Sequence, residues 1–217
     1  MILVVLENQR GNIHAFSQEA VAAGQQLSTK LGLDLCILCL GENASALKEQ
    51  ASNYKVKNLI LAQNDLIGSY SADGYSKALD QVISELSPKY VLMGHSYMVR
   101  DFLPRVSAKS DVPFISDIIS VTYHDNVPIF ARQVFNAKIA TNVQADSNNN
   151  TILLSFQSAA FSSDDIEAGS PENQIDFSLN LDTSDIRSES EPEFQESASS
   201  VDLTTAELIV SVGRGID

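Results

Sequence analysis

The 217-residue sequence has few cysteines, few basic residues and no long apolar run, and each shortage excludes a class of protein. Two cysteines cannot crosslink a chain of this length, so we expect a protein of the reducing cytoplasm rather than a disulfide-stapled scaffold. The 14 basic residues are outnumbered by 28 acidic residues, and the resulting net charge of −14 repels the phosphates of nucleic acids and anionic membranes. No apolar run approaches the roughly 20 residues that a membrane-spanning helix needs. We therefore expect no nucleic-acid partner and no membrane insertion.

Apolar residues, by contrast, make up 44% of the chain, which is enough for a sizeable core. The charge is unevenly spread, because residues 162–200 contain eleven acidic residues, many serines and one basic residue, Arg187. Such a segment buries too little apolar surface to offset the entropy lost in ordering it, and we predict a solvated linker there. The functional alternative is an acidic docking tail.

Residues 2–161 begin with short apolar runs that alternate with amphipathic stretches of helical spacing. Buried strands are predicted at 2–6, 33–40, 56–61 and 90–93. Helices are predicted at 17–31, 44–52, 71–87 and 98–108. Ser17 is the predicted N-cap of the first helix and Gly32 its predicted stop. This alternation predicts parallel strands joined by helical crossovers, and so an α/β fold with a doubly wound, Rossmann-like sheet.

The pattern changes after Pro113, where strands succeed one another with no helix between them. They are predicted at 115–123, 127–133, 137–143 and 152–156. Because antiparallel strands can be joined directly, we expect hairpins added at the edge or end of the sheet. A last apolar run, Glu207–Ser211, predicts one more strand. We therefore divide the chain into a domain at 1–161, an acidic linker at 162–200 and the cut-off start of a second α/β domain at 201–217.

The residues that could carry chemistry do not form a catalytic or metal-binding motif. Cys36 and Cys39 have the spacing of a redox pair, but they stand three residues apart on a predicted strand, which directs them to opposite faces. That placement favours two buried, unreactive thiols. His95 comes after a predicted strand, where α/β proteins place ligand-binding loops, but no nucleophile motif accompanies it. We predict no catalytic residue and no metal site.

A phosphate-binding loop is also missing from the first domain, because the loop at 7–12 after the first strand contains one glycine. The glycine-rich turn that does come after a predicted strand is Gly213-Arg214-Gly215. Its two glycines would let backbone N–H groups approach a pyrophosphate, and Arg214 could supply a charge-assisted clamp. These three residues are the candidate cofactor-binding residues.

Several stretches of the sequence share a pattern with one protein family. The opening reads ILVVLENQRGNIHAFSQEAVAAGQQL, and residues 94–121 read GHSYMVRDFLPRVSAKSDVPFISDIISV. VPIFAR stands at 127–132 and AKIA at 137–140, and residues 202–215 end in VGRG. In these stretches the chain resembles the alpha subunit of electron transfer flavoprotein along nearly its whole length, and most specifically at 94–140.

The resemblance implies an N-terminal Rossmann-like domain without a cofactor of its own, packed against a beta subunit, and a C-terminal domain that holds FAD. It implies an electron carrier rather than an enzyme. The heterodimer accepts electrons from flavin dehydrogenases, such as acyl-CoA dehydrogenases, and passes them to a membrane quinone oxidoreductase. One of the family's FAD contacts carries over, to Arg214 between Gly213 and Gly215, whereas Val212 departs from the usual glycine. Since one arginine does not enclose a flavin, we expect this chain not to retain FAD.

The residues also leave a second interpretation open, a stand-alone adenine-nucleotide-binding α/β protein of the universal-stress-like class. The doubly wound sheet and the loop at 94–97 permit it. The lack of a glycine-rich phosphate loop in residues 1–161 argues against it. Thermal stabilisation of the folded chain by ATP or AMP would favour it.

Overall fold

A computed structural model describes residues 1–146, 151–188, 190, 208–213 and 215, and strands alternate with helices through the first half of the chain. The strands are β1 (Ile2–Leu6), β2 (Asn8–Gln9), β3 (Asn12–Ile13), β4 (Leu35–Gly41), β5 (Asn58–Gln63), β6 (Tyr90–Gly94), β7 (Phe114–His124), β8 (Val127–Val134), β9 (Ile139–Val143), β10 (Ile152–Phe156) and β11 (Asn173–Asp176). The helices are α1 (Ala15–Leu31), α2 (Lys48–Ala51), α3 (Ala72–Leu86) and α4 (Tyr97–Ser110). Short 3-10 turns lie at Ala44–Leu47, Asp65–Ile67, Ser163–Asp165 and Thr183–Asp185.

Nine of the described strands form one sheet, in the order β11-β5-β4-β1-β6-β10-β7-β8-β9. The strand pairs from β11 to β7 are parallel. The pairs β7–β8 and β8–β9 are antiparallel, and β2 with β3 forms a separate small hairpin. The fold is therefore the predicted one, a doubly wound and mostly parallel α/β sheet with antiparallel hairpins added at one end.

The central strands are buried on both faces, which is why their sequences are apolar at nearly every position. In β1, Ile2, Val4 and Leu6 pack into the core layer that includes helix α1. Leu3 and Val5 point the other way, into the layer that includes α3 and α4. The alternation builds two hydrophobic cores on the two sides of one sheet, and the helices shield both cores from water.

Helix α1 begins before Ser17, so the prediction that Ser17 caps it is wrong. The ring of His14 takes the capping role, because its Nδ1 accepts a hydrogen bond from the Phe16 N–H at 3.1 Å. Ser17 is instead buried in the first turn, where its hydroxyl accepts the Glu7 N–H at 2.9 Å. The predicted stop is confirmed, because Gly32 ends the helix with a left-handed φ of 64°.

The placement of β10 corrects the expectation that every strand after Pro113 belongs to an antiparallel hairpin. β7, β8 and β9 do form hairpins at one end of the sheet, but β10 inserts between β6 and β7 and runs parallel to both. All five residues of β10 are buried, because β6 and β7 pair with its two edges and the two core layers cover its two faces. The antiparallel strands β8 and β9 form the crossover connection between the parallel strands β7 and β10, whereas such connections usually contain a helix.

The segment from 162 to 188 corrects the prediction of a solvated linker, because it folds back onto the domain. β11 adds to the sheet beside β5, and the Phe177 side chain just after it is buried in the core layer of α3 and α4. The Asn180 N–H donates to the Gln81 Oε1 at 2.9 Å, and the Gln81 amide donates to the Asn180 carbonyl at 2.6 Å. Residues 191–200 of the predicted linker lie outside the described part of the chain.

The physical reason for this folding is that the segment's few apolar residues alternate, while its acids remain at the surface. Phe177, Leu179 and Leu181 all contact the core layer of α3 and α4. Two of the acids lie opposite basic side chains, in the ion pairs Lys55–Glu167 at 2.8 Å and Lys77–Asp185 at 3.5 Å. A small number of well-spaced apolar side chains is enough to order a segment whose average composition predicts a linker.

Candidate functional site

The largest cleft among those described lies at the carboxyl edge of the sheet, beside the point where the strand order reverses. From β1 the chain moves to β4 and β5 on one side, and then returns to β6 on the other side. In doubly wound folds this reversal opens a crevice that commonly binds ligands. The cleft has a volume of about 1020 Å³, and its lining includes Glu7, Gly41, Glu42, Tyr75 and Asp101.

Carboxylates and phenols dominate the chemistry of this cleft. The Ser96 hydroxyl donates a hydrogen bond to Glu7, and the Tyr70 hydroxyl donates one to the Asp101 Oδ2 at 2.7 Å. Burial, followed by the bond to Asp101, raises the pKa of Tyr70. Burial also raises the pKa of Tyr75 to about 12, with a smaller contribution from the charge of Glu7. Both phenols therefore stay protonated at neutral pH, and Tyr70 acts as a neutral hydrogen-bond donor to Asp101.

The loop after β1 is a tight hairpin rather than a glycine-rich phosphate cradle, and two backbone donors in and after it are used locally. β2 and β3 pair as a hairpin whose turn residues, Arg10 and Gly11, have φ values of 53° and 83°. The Gly11 N–H donates to the Asn8 Oδ1 at 2.8 Å, and the Phe16 N–H at the start of α1 donates to His14. A phosphate bound at this position would need free N–H groups, and these two are already used.

His95 occupies the carboxyl end of β6 and joins three strands of the sheet. Its Nδ1 lies 2.8 Å from the hydroxyl of Ser155 on β10, and its Nε2 lies 3.9 Å from the Asp117 carboxylate on β7. The same Ser155 oxygen accepts the Asp117 N–H at 3.3 Å, and Asp117 itself has a left-handed φ of 59°. Burial lowers the pKa of His95, the charge of Asp117 opposes the shift, and nearby Arg100 and Arg132 add to it.

This Ser–His–Asp arrangement is a structural clasp and not a hydrolytic triad. The Ser155 side chain is fully buried, so no substrate can reach its hydroxyl. Local patterns in the sequence draw attention to His95 and the adjacent Ser96, whereas the residue that contacts the ring is 60 positions away in the chain. No local spacing could have indicated that contact, because it depends on the insertion of β10 between β6 and β7.

The two cysteines are placed as the sequence predicted. Both are free and buried on β4, with Cys36 in the core layer of α3 and α4 and Cys39 in the layer of α1. Burial raises the pKa of Cys39 to about 12 and also raises that of Cys36. A thiol that remains protonated and out of contact with solvent is a poor nucleophile, so neither cysteine is suited to redox chemistry.

The predicted cofactor-binding turn is only partly described. Arg214 lies outside the described residues, and a side chain built on Gly213 or Gly215 would meet no atom within 4 Å. The predicted strand before the turn is not formed at residues 208–211, and the exposed apolar side chains there are those of Leu208, Ile209 and Val210. A strand needs a neighbour to pair with, and nothing described covers this one. The described residues around Gly213 and Gly215 therefore do not enclose a flavin.

The described part of the chain offers neither a membrane-spanning helix nor a metal-binding cluster. No helix there combines the length and the apolar character needed to cross a bilayer. No group of three or more His, Cys, Asp or Glu side chains there is arranged to hold a metal ion.

The sheet, its added hairpins and its carboxyl-edge cleft define a Rossmann-like α/β domain. A family model described as "Electron transfer flavoprotein domain" matches residues 2–179, and the chain belongs to that family. Its relatives include the "Electron transfer flavoprotein subunit alpha" of Bacillus subtilis, which is 29% identical over 216 residues. The subunit of the same name from Methylophilus methylotrophus is 27% identical over 221 residues. The "Probable electron transfer flavoprotein subunit alpha, mitochondrial" of Caenorhabditis elegans is 26% identical over 216 residues.

These alignments cover 99% of the present chain in all three cases. The chain spans less than two thirds of each relative, namely 64% of the Bacillus protein, 65% of the Methylophilus protein and 61% of the Caenorhabditis protein. The resemblance noted in the sequence is thus confirmed at the level of the family.

Proposed function

We propose that this chain supplies the N-terminal scaffolding domain of the alpha subunit of an electron transfer flavoprotein. The observation that carries the proposal is the family match at 2–179, which coincides with the doubly wound sheet from β1 to β11. The carboxyl-edge cleft supports it, since the carboxylates of Glu7, Glu42 and Asp101 outnumber the one basic side chain in its lining, Arg10, and so disfavour a phosphate. A domain of this kind has a structural role in a redox assembly rather than a substrate of its own.

In the assembly, the chain would pair with the beta subunit. The heterodimer would carry electrons from flavin dehydrogenases, such as acyl-CoA dehydrogenases, to a quinone oxidoreductase. It would act as an electron carrier and not as an enzyme with its own turnover. We place it in the cytoplasm, in keeping with the two free cysteines of β4.

The domain division belongs to the same proposal. We place the scaffold at residues 1–161 together with the folded-back segment up to residue 188, which adds β11 to the sheet, and residues 201–217 would correspond to the start of the FAD-binding domain. Within that start, Arg214 would contact FAD, flanked by Gly213 and Gly215. Because the described residues build no enclosure there, this chain alone does not retain FAD.

The experiment that tests the proposal is size-exclusion chromatography of the purified chain with the beta subunit of the same organism, at low and high salt. We expect an equimolar complex. Elution of the two proteins as separate species at low salt would overturn the proposal. Absorbance in the flavin bands, recorded on the chain alone, tests the cofactor statement, and a stoichiometrically yellow chain would contradict it.

A further inference from the structure

The Nε atom of Arg132 on β8 is a buried donor that lacks an acceptor among the described residues. The side chain is half-buried, so this N–H group is removed from water without gaining a hydrogen bond in exchange. An unpaired buried donor is costly, and most so on a charged group. In native proteins such a group usually has an acceptor on a bound water, an ion or a ligand. The orphaned Nε atom therefore indicates a missing acceptor.

A second arginine, Arg100 in the first turn of α4, also forms no ion pair with a described residue. Its guanidinium carbon lies 5.5 Å from the centroid of the Tyr97 ring. Arg105 and Arg187, by contrast, both pair with Asp73, at 3.6 Å and 4.0 Å. The chain has 28 acidic and 14 basic residues, so a shortage of carboxylates does not explain why Arg100 has no acidic partner.

Both unpaired arginines lie near His95, at the carboxyl end of β6. In the β7–β8 pair Arg132 stands opposite Ile118, and the residue before Ile118 is Asp117, whose carboxylate lies 3.9 Å from the His95 Nε2. Arg100 follows His95 by five positions. Burial is the main cause that lowers the pKa of His95, and the charges of Arg100 and Arg132 lower it further. The two guanidinium groups therefore lie within electrostatic range of the imidazole ring.

The backbone around His95 is irregular. The register of β7 shifts beside Ile118 against β8, and beside Phe156 against β10. Asp117, which faces the His95 ring, has a left-handed φ of 59°. Bulges and strained non-glycine residues concentrate next to functional sites, where they redirect side chains. The fold thus maintains an unfavourable conformation at the residue beside the imidazole.

The imidazole of His95 offers a further donor at the same place. The Ser155 hydroxyl accepts the Asp117 N–H, so its own proton is donated to the His95 Nδ1, 2.8 Å away. The neutral ring then carries its proton on Nε2. The 3.9 Å between Nε2 and the Asp117 carboxylate is too long for a hydrogen bond. The side chains of His95 and Asp117 are 16% and 31% exposed, so a small ligand can reach them.

We propose that Arg132, Arg100 and His95 form a binding site for the carboxylate group of a small organic acid. The Arg132 guanidinium would donate from Nε and from a terminal nitrogen, the side-on arrangement in which arginine binds both oxygens of a carboxylate. None of the three residues lines the carboxyl-edge cleft, so this is a separate site. It goes beyond the proposed function, because the scaffolding role requires no such ligand.

The balance of charge favours a carboxylate over a phosphate. Arg100 and Arg132 carry two positive charges, Asp117 carries one negative charge, and His95 is mostly neutral at pH 7, which leaves one net positive charge. A carboxylate has a single negative charge and neutralises the site. A phosphate monoester carries about −1.5 to −2 at neutral pH and would leave the site negatively charged.

The test follows the arginine Nε–H signals of the isotope-labelled full chain by NMR. The chain is titrated with sodium acetate and, at the same ionic strength, with sodium phosphate and sodium chloride. We expect acetate to shift the Arg132 Nε–H signal saturably, phosphate to bind more weakly than acetate, and chloride to leave the signal in place. The Arg132 signal is identified by its loss in Arg132→Lys.

The Arg132→Lys variant also tests the geometry, because lysine keeps the positive charge but has no Nε donor. It should weaken acetate binding about tenfold, measured from the backbone amide signals of His95 and Asp117. The matched control is Arg105→Lys on α4, since Arg105 already pairs with acidic side chains. Acetate should bind that variant as it binds the wild type. The amide spectrum of each variant establishes that the fold is retained.

The wild-type titration decides the matter even if Arg132→Lys does not fold. An Arg132 Nε–H signal that acetate does not move would overturn the inference and assign the missing acceptor to a water. Equal acetate binding by Arg132→Lys and the wild type would overturn it as well, because the Nε donor would then play no part. Tighter binding of phosphate than of acetate would contradict the assignment to a carboxylate. The proposed function stands or falls separately, by association with the beta subunit.

Discussion

The parallel and antiparallel halves of the sheet differ in how completely their strands are buried. In the parallel half, β1, β4, β6 and β10 are buried at every residue, because helices or other covering segments shield both faces. In the antiparallel half, buried and exposed residues mix along β7, β8 and β9. A strand covered on both faces contributes to stability and has no surface left for a partner. The partly covered hairpins contribute less to the core and remain available for association.

The largest effect should come from emptying the core of the parallel half. Phe102→Ala removes a fully buried ring of α4 and should lower the free energy of unfolding by about 3–5 kcal/mol. The matched change Phe135→Ala, at the exposed hairpin tip, should alter it by about 0.5 kcal/mol or less. Urea denaturation of both variants checks the difference. Equal losses would show that the tip is part of the core and would break the comparison.

The next largest loss of stability should come from the close approach of the Gly94 backbone to the backbone of Phe16. A Cβ on Gly94, at the end of β6, would lie 2.5 Å from the Phe16 carbonyl oxygen, and a backbone atom cannot move aside cheaply. Gly94→Ala should therefore cost about 3 kcal/mol of unfolding free energy. Gly213→Ala is the control, since a Cβ there would meet no atom within 4 Å. A loss for Gly213→Ala as large as that for Gly94→Ala would contradict this reasoning.

The folded-back acidic segment should contribute a smaller but measurable amount. Phe177→Ala removes an almost fully buried ring next to β11 and should cost about 2 kcal/mol. Ile175→Ala, at a partly exposed position in β11, should cost clearly less. Thermal or urea unfolding measures both. If the Phe177→Ala variant is as stable as the wild type, residues 162–188 do not contribute to the folded domain and behave as the linker that composition predicts.

The clasp between the two halves should produce the smallest effect, and it depends on pH. Burial lowers the pKa of His95 below its ordinary value of 6.5, so the unfolded chain binds a proton more readily than the folded chain does. Stability should therefore fall as the pH drops below about 6.5 and level off below the lowered pKa. His95→Gln should remove this decrease in stability at acidic pH, whereas His124→Gln, at an exposed hairpin position, should leave it in place. Identical pH profiles for His95→Gln and the wild type would rule the effect out.

The features that could be predicted from the sequence depend on short-range patterns. The strands at 2–6 and 152–156 are predicted to the residue, because a short run of apolar residues has one stable environment, a sheet covered on both sides. Gly32 was predictable as a helix stop because a left-handed C-cap favours glycine. The opposite orientations of Cys36 and Cys39 result from the two-residue period of a strand.

Apart from the cap of α1, where His14 replaces the predicted Ser17, the failures concern contacts between distant parts of the chain. Nothing in the residues of β10 distinguishes a central parallel strand from a hairpin strand, because pairing partners are chosen by the whole sheet. The average composition of residues 162–200 is acidic, and it did not indicate that Phe177 and Leu179 pack against the core. The Ser155–His95 contact depends on strand order, which local patterns do not contain. In the candidate site, the sequence drew attention to His95, but it did not predict that Ser155 and Asp117 would lie beside it.

The most direct test of the scaffolding role is a thermal-unfolding titration of the full chain, with the beta subunit in one series and AMP or ATP in another. A partner that binds only the folded chain raises the melting temperature as its concentration increases. We expect the beta subunit to raise the melting temperature and neither nucleotide to do so. Stabilisation by AMP or ATP together with no response to the beta subunit would contradict the scaffolding role and establish the adenine-nucleotide interpretation instead.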